Sequence, residues 1–202
     1  MKKIVLASGN KGKLREFSQM FSELPFQIEP QSKYQVSDVE ETGLSFVENA
    51  IIKARHAAQV TGLPTIADDS GIEVDALKGA PGIYSARYAG VGAGDKANLD
   101  KLIADTAQVP EPLRSCRFQC VLVLMRHAND PTPLVSQASW EGVLLHQPEG
   151  ENGFGYDPIF WLPEQQCTSA QLPPEVKDKL SHRGQALKQL VDLIAQRPYL
   201  VG

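Results

Sequence analysis

The segment from Leu63 to Ala67 reads as a short buried strand, and it runs directly into Asp68-Asp69-Ser70-Gly71. That junction constrains the fold more than any other stretch. A buried strand ending in ligand-type side chains is the pattern of an open α/β sheet, where ligands gather at the carboxyl ends of strands. Two adjacent carboxylates suit a hard divalent cation such as Mg²⁺, and one of them can serve as a general base. Asp, Ser and Gly are equally the residues of an ordinary Asx-type turn. The rest of the chain has to decide between the two.

A second strand-to-loop junction stands at the start. Ile4-Val5-Leu6-Ala7 is apolar, Ser8-Gly9-Asn10-Lys11-Gly12-Lys13 follows, and Leu14, Phe17, Met20, Phe21 and Leu24 then fall at helical spacing. Glycines, helix N-terminal amides and two lysines together favour an anion. The spacing is neither that of a Walker A motif nor that of a dinucleotide fingerprint, and a plain turn with solvated lysines fits as well. Phe26–Glu29 reads as a further strand and residues 30–43 as a long loop ending in Asp38-Val39-Glu40-Glu41-Thr42-Gly43. These acids suit the N-terminus of the helix that follows, from Phe46 to Gly62, through its dipole. Asn49 and Lys53 lie one turn apart on that helix, facing either a site or solvent.

Beyond the acidic pair, Ile72–Leu77 alternates as a half-buried strand, and Gly79–Tyr88 is a shaped loop carrying Tyr84, Arg87 and Tyr88. Asp95 reads as the cap of a helix with Leu99, Leu102 and Ile103. Residues 114–127 give the longest strand signal, Asn129-Asp130-Pro131 a turn, and 134–145 a returning strand pair. In the glycine-rich loop Gly150–Phe160 an aromatic can stack on a base or fill the core, and Asp157 can fix its own loop or read a base donor. Pro173-Pro174-Glu175 opens a helix with Lys177 and Lys179. Ser181 reads as the N-cap of the last helix, and His182-Arg183 supply donors for a carbonyl acceptor.

The 202 residues suit one domain, with ordinary proportions of 42% hydrophobic and 22% charged residues. A net charge of −4 argues against a nucleic-acid-coating surface. The amino-terminal apolar run is too short for a signal peptide, and no run approaches a membrane span. Three cysteines without zinc-type spacing point to free thiols in a reducing cytoplasm. Basic loop, acids, aromatic glycine loop and late donors describe a Mg²⁺-dependent nucleotide enzyme.

Seven motifs sharpen this reading. Ser8–Lys13, Glu40–Gly43, Glu48–Ala50, Ala67–Gly71, Gly79–Tyr88, Phe154–Pro158 and Ser181–Arg183 stand in the order of the bacterial branch of the inosine triphosphate pyrophosphatase family, which the whole chain closely resembles. Ser8 stands where Thr is usual, keeping the hydroxyl. The resemblance implies an α/β fold with a mixed, elongated central sheet flanked by helices, two lobes with a cleft between them, and a single functional domain over 1–202. It implies a homodimer that uses Mg²⁺ to hydrolyse ITP, dITP and XTP to monophosphate and pyrophosphate, keeping such nucleotides out of DNA and RNA. By position, Ser8, Gly9, Asn10, Lys11, Gly12 and Lys13 bind the triphosphate, and Asp69 is proton acceptor and metal ligand. Ser70, Phe154, Gly155, Tyr156, Asp157, Lys177, His182 and Arg183 bind the nucleotide. Glu40 or Glu41 completes the metal site, with Asp68 an adjacent candidate. A pyrophosphatase acting on pyrimidine nucleotides and a non-catalytic nucleotide sensor are the alternatives.

Overall fold

The computed structural model describes residues 3–20 and 26–197. Seven strands form one mixed sheet in the order β2-β1-β3-β4-β5-β6-β7. They are β1 (Lys3–Ala7), β2 (Gln27–Pro30), β3 (Thr65–Val74), β4 (Ser115–Met125), β5 (Leu134–Leu144), β6 (Phe160–Leu162) and β7 (Cys167–Thr168). β1 pairs in parallel with β2 and β3, while β5–β6 and β6–β7 are antiparallel. Among the described residues five α-helices accompany them: α1 (Lys11–Met20), α2 (Phe46–Thr61), α3 (Gly94–Asp105), α4 (Pro174–Leu180) and α5 (His182–Ala195).

The chain divides into two compact units. The first comprises Met1–Asp69, Cys120–Ala138 and Arg183–Gly202; the second comprises Ser70–Gln119 and Ser139–His182. Each has its own core. In the first, Ile4, Leu6, Ile66, Leu122 and Leu124 pack with Phe17 of α1 and Ala186, Leu187 and Leu190 of α5. In the second, Ile72, Val74 and Phe118 pack with Leu102, Trp140, Tyr156 and Phe160. Phe21 and Leu24, expected on the α1 face, lie outside the described residues.

Local chemistry explains the element boundaries. The Asn10 side chain accepts the Lys13 N–H at 3.0 Å, capping α1. α2 begins on a reciprocal Ser45–Glu48 cap: Ser45 Oγ accepts the Glu48 N–H and donates to Glu48 Oε2 at 2.6 Å. Buried Arg114 donates to the backbone carbonyls of Thr106, Val109, Leu144 and Leu145, tying the end of α3 to the end of β5. At the expected turn after β4, buried Asp130 accepts from the Arg126 guanidinium and from the Arg126 and Thr132 backbone N–H groups.

The structure corrects several expectations. The strand at Leu63–Ala67 does not end at the acids. β3 continues through Asp68, Asp69, Ser70 and Gly71 to Val74, so the two carboxylates lie inside a strand. Lysines neutralise them there, and Ile72 and Val74 are buried beyond them. Residues 134–144 form one long strand, alternately buried and exposed, rather than a pair. The loop at 30–43 contains a short 3₁₀ helix at Gln31–Tyr34. The short strands β6 and β7 were not legible, because three and two residues give no periodicity to read.

Candidate active site

In the first unit, strand alternation directs Asp68 and Asp69 to different partners. Both are buried, at 1% and 5% exposure. Lys13 Nζ, from the first turn of α1, lies 3.0 Å from Asp68 Oδ2. Lys53 Nζ, from α2, lies 2.9 Å from Asp69 Oδ1 and 2.7 Å from Glu41 Oε1. Glu41, not the exposed Glu40, therefore reaches the cluster. Arg183 is held by Glu16 of α1, with Nη1 2.8 Å from Oε2.

This arrangement separates two otherwise identical carboxyl groups. Burial alone would raise Asp68, but Lys13, Arg183 and Lys53 outweigh it and hold the group below its usual range. For Asp69 burial prevails over the opposing pull of Lys53 and Lys13, Glu41 adds to it, and the carboxyl is raised. Environments that push neighbouring acids apart are how sites assign a fixed charge and a proton acceptor. Lys53 is raised: its burial opposes the charge, and Asp69, Asp68 and Glu41 together overcome that.

Among the described residues no group of three or more His, Cys, Asp or Glu side chains is placed to hold a metal ion by itself. Two carboxylates suffice for Mg²⁺ when phosphates and waters fill the remaining positions. Glu41 and Asp69 fit that requirement. They already share one cationic partner, and the buried Asp69 Oδ2 has no hydrogen-bond partner among the described residues.

Ser8 to Lys13 join β1 to α1. Ser8 Oγ accepts the Asn10 N–H at 3.3 Å. The first turn of α1 carries no acid and two lysines, the reverse of what a helix dipole favours. A bound anion would relieve that conflict.

In the second unit, Asp157 organises the aromatic glycine loop. Its Oδ2 accepts the Phe154 N–H at 2.8 Å and pairs with Lys177 Nζ at 2.6 Å, while its Oδ1 accepts from Ser169 Oγ at 2.8 Å. These contacts fix the geometry of its own loop, one of the two roles open in the sequence. The carboxylate comes so close that a Cβ on Gly153 would lie 2.0 Å from Oδ2, at φ +77°; only glycine fits. Lys177 Nζ lies 5.3 Å from the Phe154 ring centre. Tyr156 is buried and donates to the Ser85 carbonyl at 2.7 Å. Asp95 is not the cap of α3, whose N-cap position is Ala93; its Oδ2 instead accepts the Gly155 N–H at 3.1 Å. His182 is buried and stacks on Phe118, ring centres 4.8 Å apart and planes 14° from parallel. Ser181 precedes α5 with extended backbone, and Ser70 is half-buried on β3.

The profile of the Ham1 family matches residues 4–193. The chain belongs to the Ham1 family. Among Ham1-family relatives, a Vibrio parahaemolyticus protein named dITP/XTP pyrophosphatase is 64% identical over 190 residues, covering 94% of this chain and 95% of that one. A Vibrio cholerae protein of the same name is 61% identical, over 98% of each chain. A solved structure of a HAM1 protein from Coxiella burnetii superposes with a TM-score of 0.89 at 49% identity, covering 97% of this chain and all of that one. The seven motifs and the α/β fold thus belong to one family.

Lys53 and Glu16 are the contributors that sequence reasoning left undecided or missed. A polar pair, Asn49 and Lys53, interrupting the apolar α2 stripe of Ala50, Ala54 and Ala57 was the available signal for Lys53. Glu16 gave none, since an acid on an amphipathic helix reads as solvated.

Proposed function

We propose that this protein hydrolyses non-canonical purine nucleoside triphosphates, ITP, dITP and XTP, to the monophosphate and pyrophosphate, with Mg²⁺. The observation that carries the reading is the split pair Asp68–Lys13 and Asp69–Lys53. The names of the Vibrio relatives support the substrate class.

In this reading Asp69 orients a water and takes its proton as the oxygen attacks the α-phosphorus. The α–β anhydride bond breaks and pyrophosphate leaves. Asp68 stays charged and fixes Lys13, whose ammonium stabilises negative charge on the departing group. Ser8, Asn10 and the first-turn amides of α1 take phosphate oxygens. Glu41 and Asp69 would hold Mg²⁺, which supplies charge neutralisation at the phosphates when bound. Lys53 keeps these two acids together.

Phe154 offers the base a stacking plane, with its loop held by Asp157. A ring N–H of His182 donates to the 6-keto oxygen of hypoxanthine or xanthine, where adenine presents an amine. A homodimer in a reducing cytoplasm is the setting this reading carries with it; Cys116 and Cys120 are buried thiols, both pushed up by burial.

The test is product analysis with Mg²⁺ and, separately, ITP, XTP, GTP and ATP. IMP or XMP with pyrophosphate, and GTP and ATP nearly untouched, is the expected result. Orthophosphate with a diphosphate, or equal turnover of ATP, contradicts the reading.

A further inference from the structure

Asn49 has no exposed surface, yet it is a carboxamide on the core side of α2. Its Nδ2 has no hydrogen-bond partner among the described residues. An unpaired buried donor is destabilising, a cost that an apolar side chain of similar size would avoid. The return is at the oxygen: Asn49 Oδ1 accepts the Gly43 N–H at 2.8 Å. Gly43 sits so close that a Cβ there would lie 2.7 Å from that same oxygen and 2.5 Å from Glu48 Cβ. Glu48 Oε2 takes the next N–H, that of Leu44, at 3.0 Å. The backbone is thereby fastened to the first turns of α2 immediately after Glu41. Lys53, which holds the Glu41 carboxylate, lies one turn beyond Asn49 on the same helix face.

We propose that Asn49 is a positioning residue for Glu41, clamping the chain at Gly43 so that the Glu41 carboxylate stays at Lys53 beside Asp69. The inference rests on the reading that Glu41 and Asp69 hold the divalent cation. Asn49 touches neither carboxylate. Without its clamp the chain is next fastened to α2 at Leu44, by Glu48, and the segment carrying Glu41 is held less closely. The loss falls on cation affinity and turnover, not on nucleotide affinity.

The experiment compares wild type with Asn49→Leu, which keeps bulk and removes the acceptor, and with Gly43→Ala, which drives a methyl into the same contact. Ser45→Ala is the control, since it removes the α2 cap and leaves the Asn49–Gly43 bond in place. Mn²⁺ is titrated into each protein with α,β-methylene-ITP, an analogue that cannot be cleaved at the α–β position, and followed by water-proton relaxation. Steady-state constants for ITP at saturating Mg²⁺ and the Tm are measured alongside. Both clamp variants are expected to bind Mn²⁺ roughly tenfold or more weakly and to lose kcat by a similar factor, with KM changed by less than about twofold. Ser45→Ala is expected to lower Tm and leave Mn²⁺ affinity and kcat as in wild type. Unchanged Mn²⁺ affinity in a folded clamp variant overturns the proposal, as does an equal loss in Ser45→Ala, which would make the effect one of helix stability. A wild type that binds no Mn²⁺ and releases no pyrophosphate removes the underlying reading instead.

Discussion

Asp68 and Asp69 are chemically the same residue one position apart, and their acidities differ only through what faces them. Lys13 meets one and Lys53, shared with Glu41, meets the other. The first is held ionised and the second is raised. Asp69→Asn preserves shape and removes the proton acceptor. It is expected to leave the fold intact by circular dichroism and to lower kcat for ITP by roughly 10²–10⁴-fold; near-normal turnover would remove Asp69 from the chemistry. At this scale the sequence was informative about identity and poor about partners. Asp68-Asp69 stood out at once, whereas the Arg183–Glu16 pair joins side chains far apart in the chain and neither residue announces the other.

At the scale of elements, the strand-to-helix junction at 8–13 and the helix at 46–61 were legible because a glycine-rich loop, a Ser-x-x-Glu cap and a 3.6-residue apolar period mark them. The end of β3 was not. Two adjacent acids argue for a strand terminus when read alone, and only the lysines from α1 and α2 make them tolerable inside one. Asp95 misled for a similar reason: a helix-start acid is usually a cap, and this one is drawn to Gly155. The turn after β4 offers a test of the element energetics. Asp130 is buried, and its bonds to Arg126 and Thr132 hold its carboxyl well below the usual range. A group depressed on folding contributes fully above its unfolded value, near pH 4, and loses the contribution as pH falls through the folded one. Asp130→Asn is expected to lower stability at pH 7 by about 1–3 kcal/mol, with the gap to wild type narrowing progressively below about pH 4. Urea denaturation of both proteins across that range measures it, and a gap independent of pH would contradict the assignment.

For the whole molecule, the sequence determined the class of fold through its alternation of short apolar strands with amphipathic helices, and the seven-stranded mixed sheet has that character. Its division into two compact units is not marked by any linker or change of composition, and the boundaries fall within β3, β4, β5 and the start of α5; only the family resemblance gave two lobes as an expectation. Among the described residues no helix is long and apolar enough to cross a membrane. The proposed reaction has water attack the α-phosphorus of a purine nucleoside triphosphate under the control of Asp69. Hydrolysis of ITP in ¹⁸O-labelled water, with both products analysed by mass spectrometry, tests this most directly. Attack at the α-phosphorus puts one ¹⁸O atom in IMP and none in pyrophosphate. Label in pyrophosphate would place the attack on the β-phosphorus and contradict the roles assigned to Asp69 and Lys13.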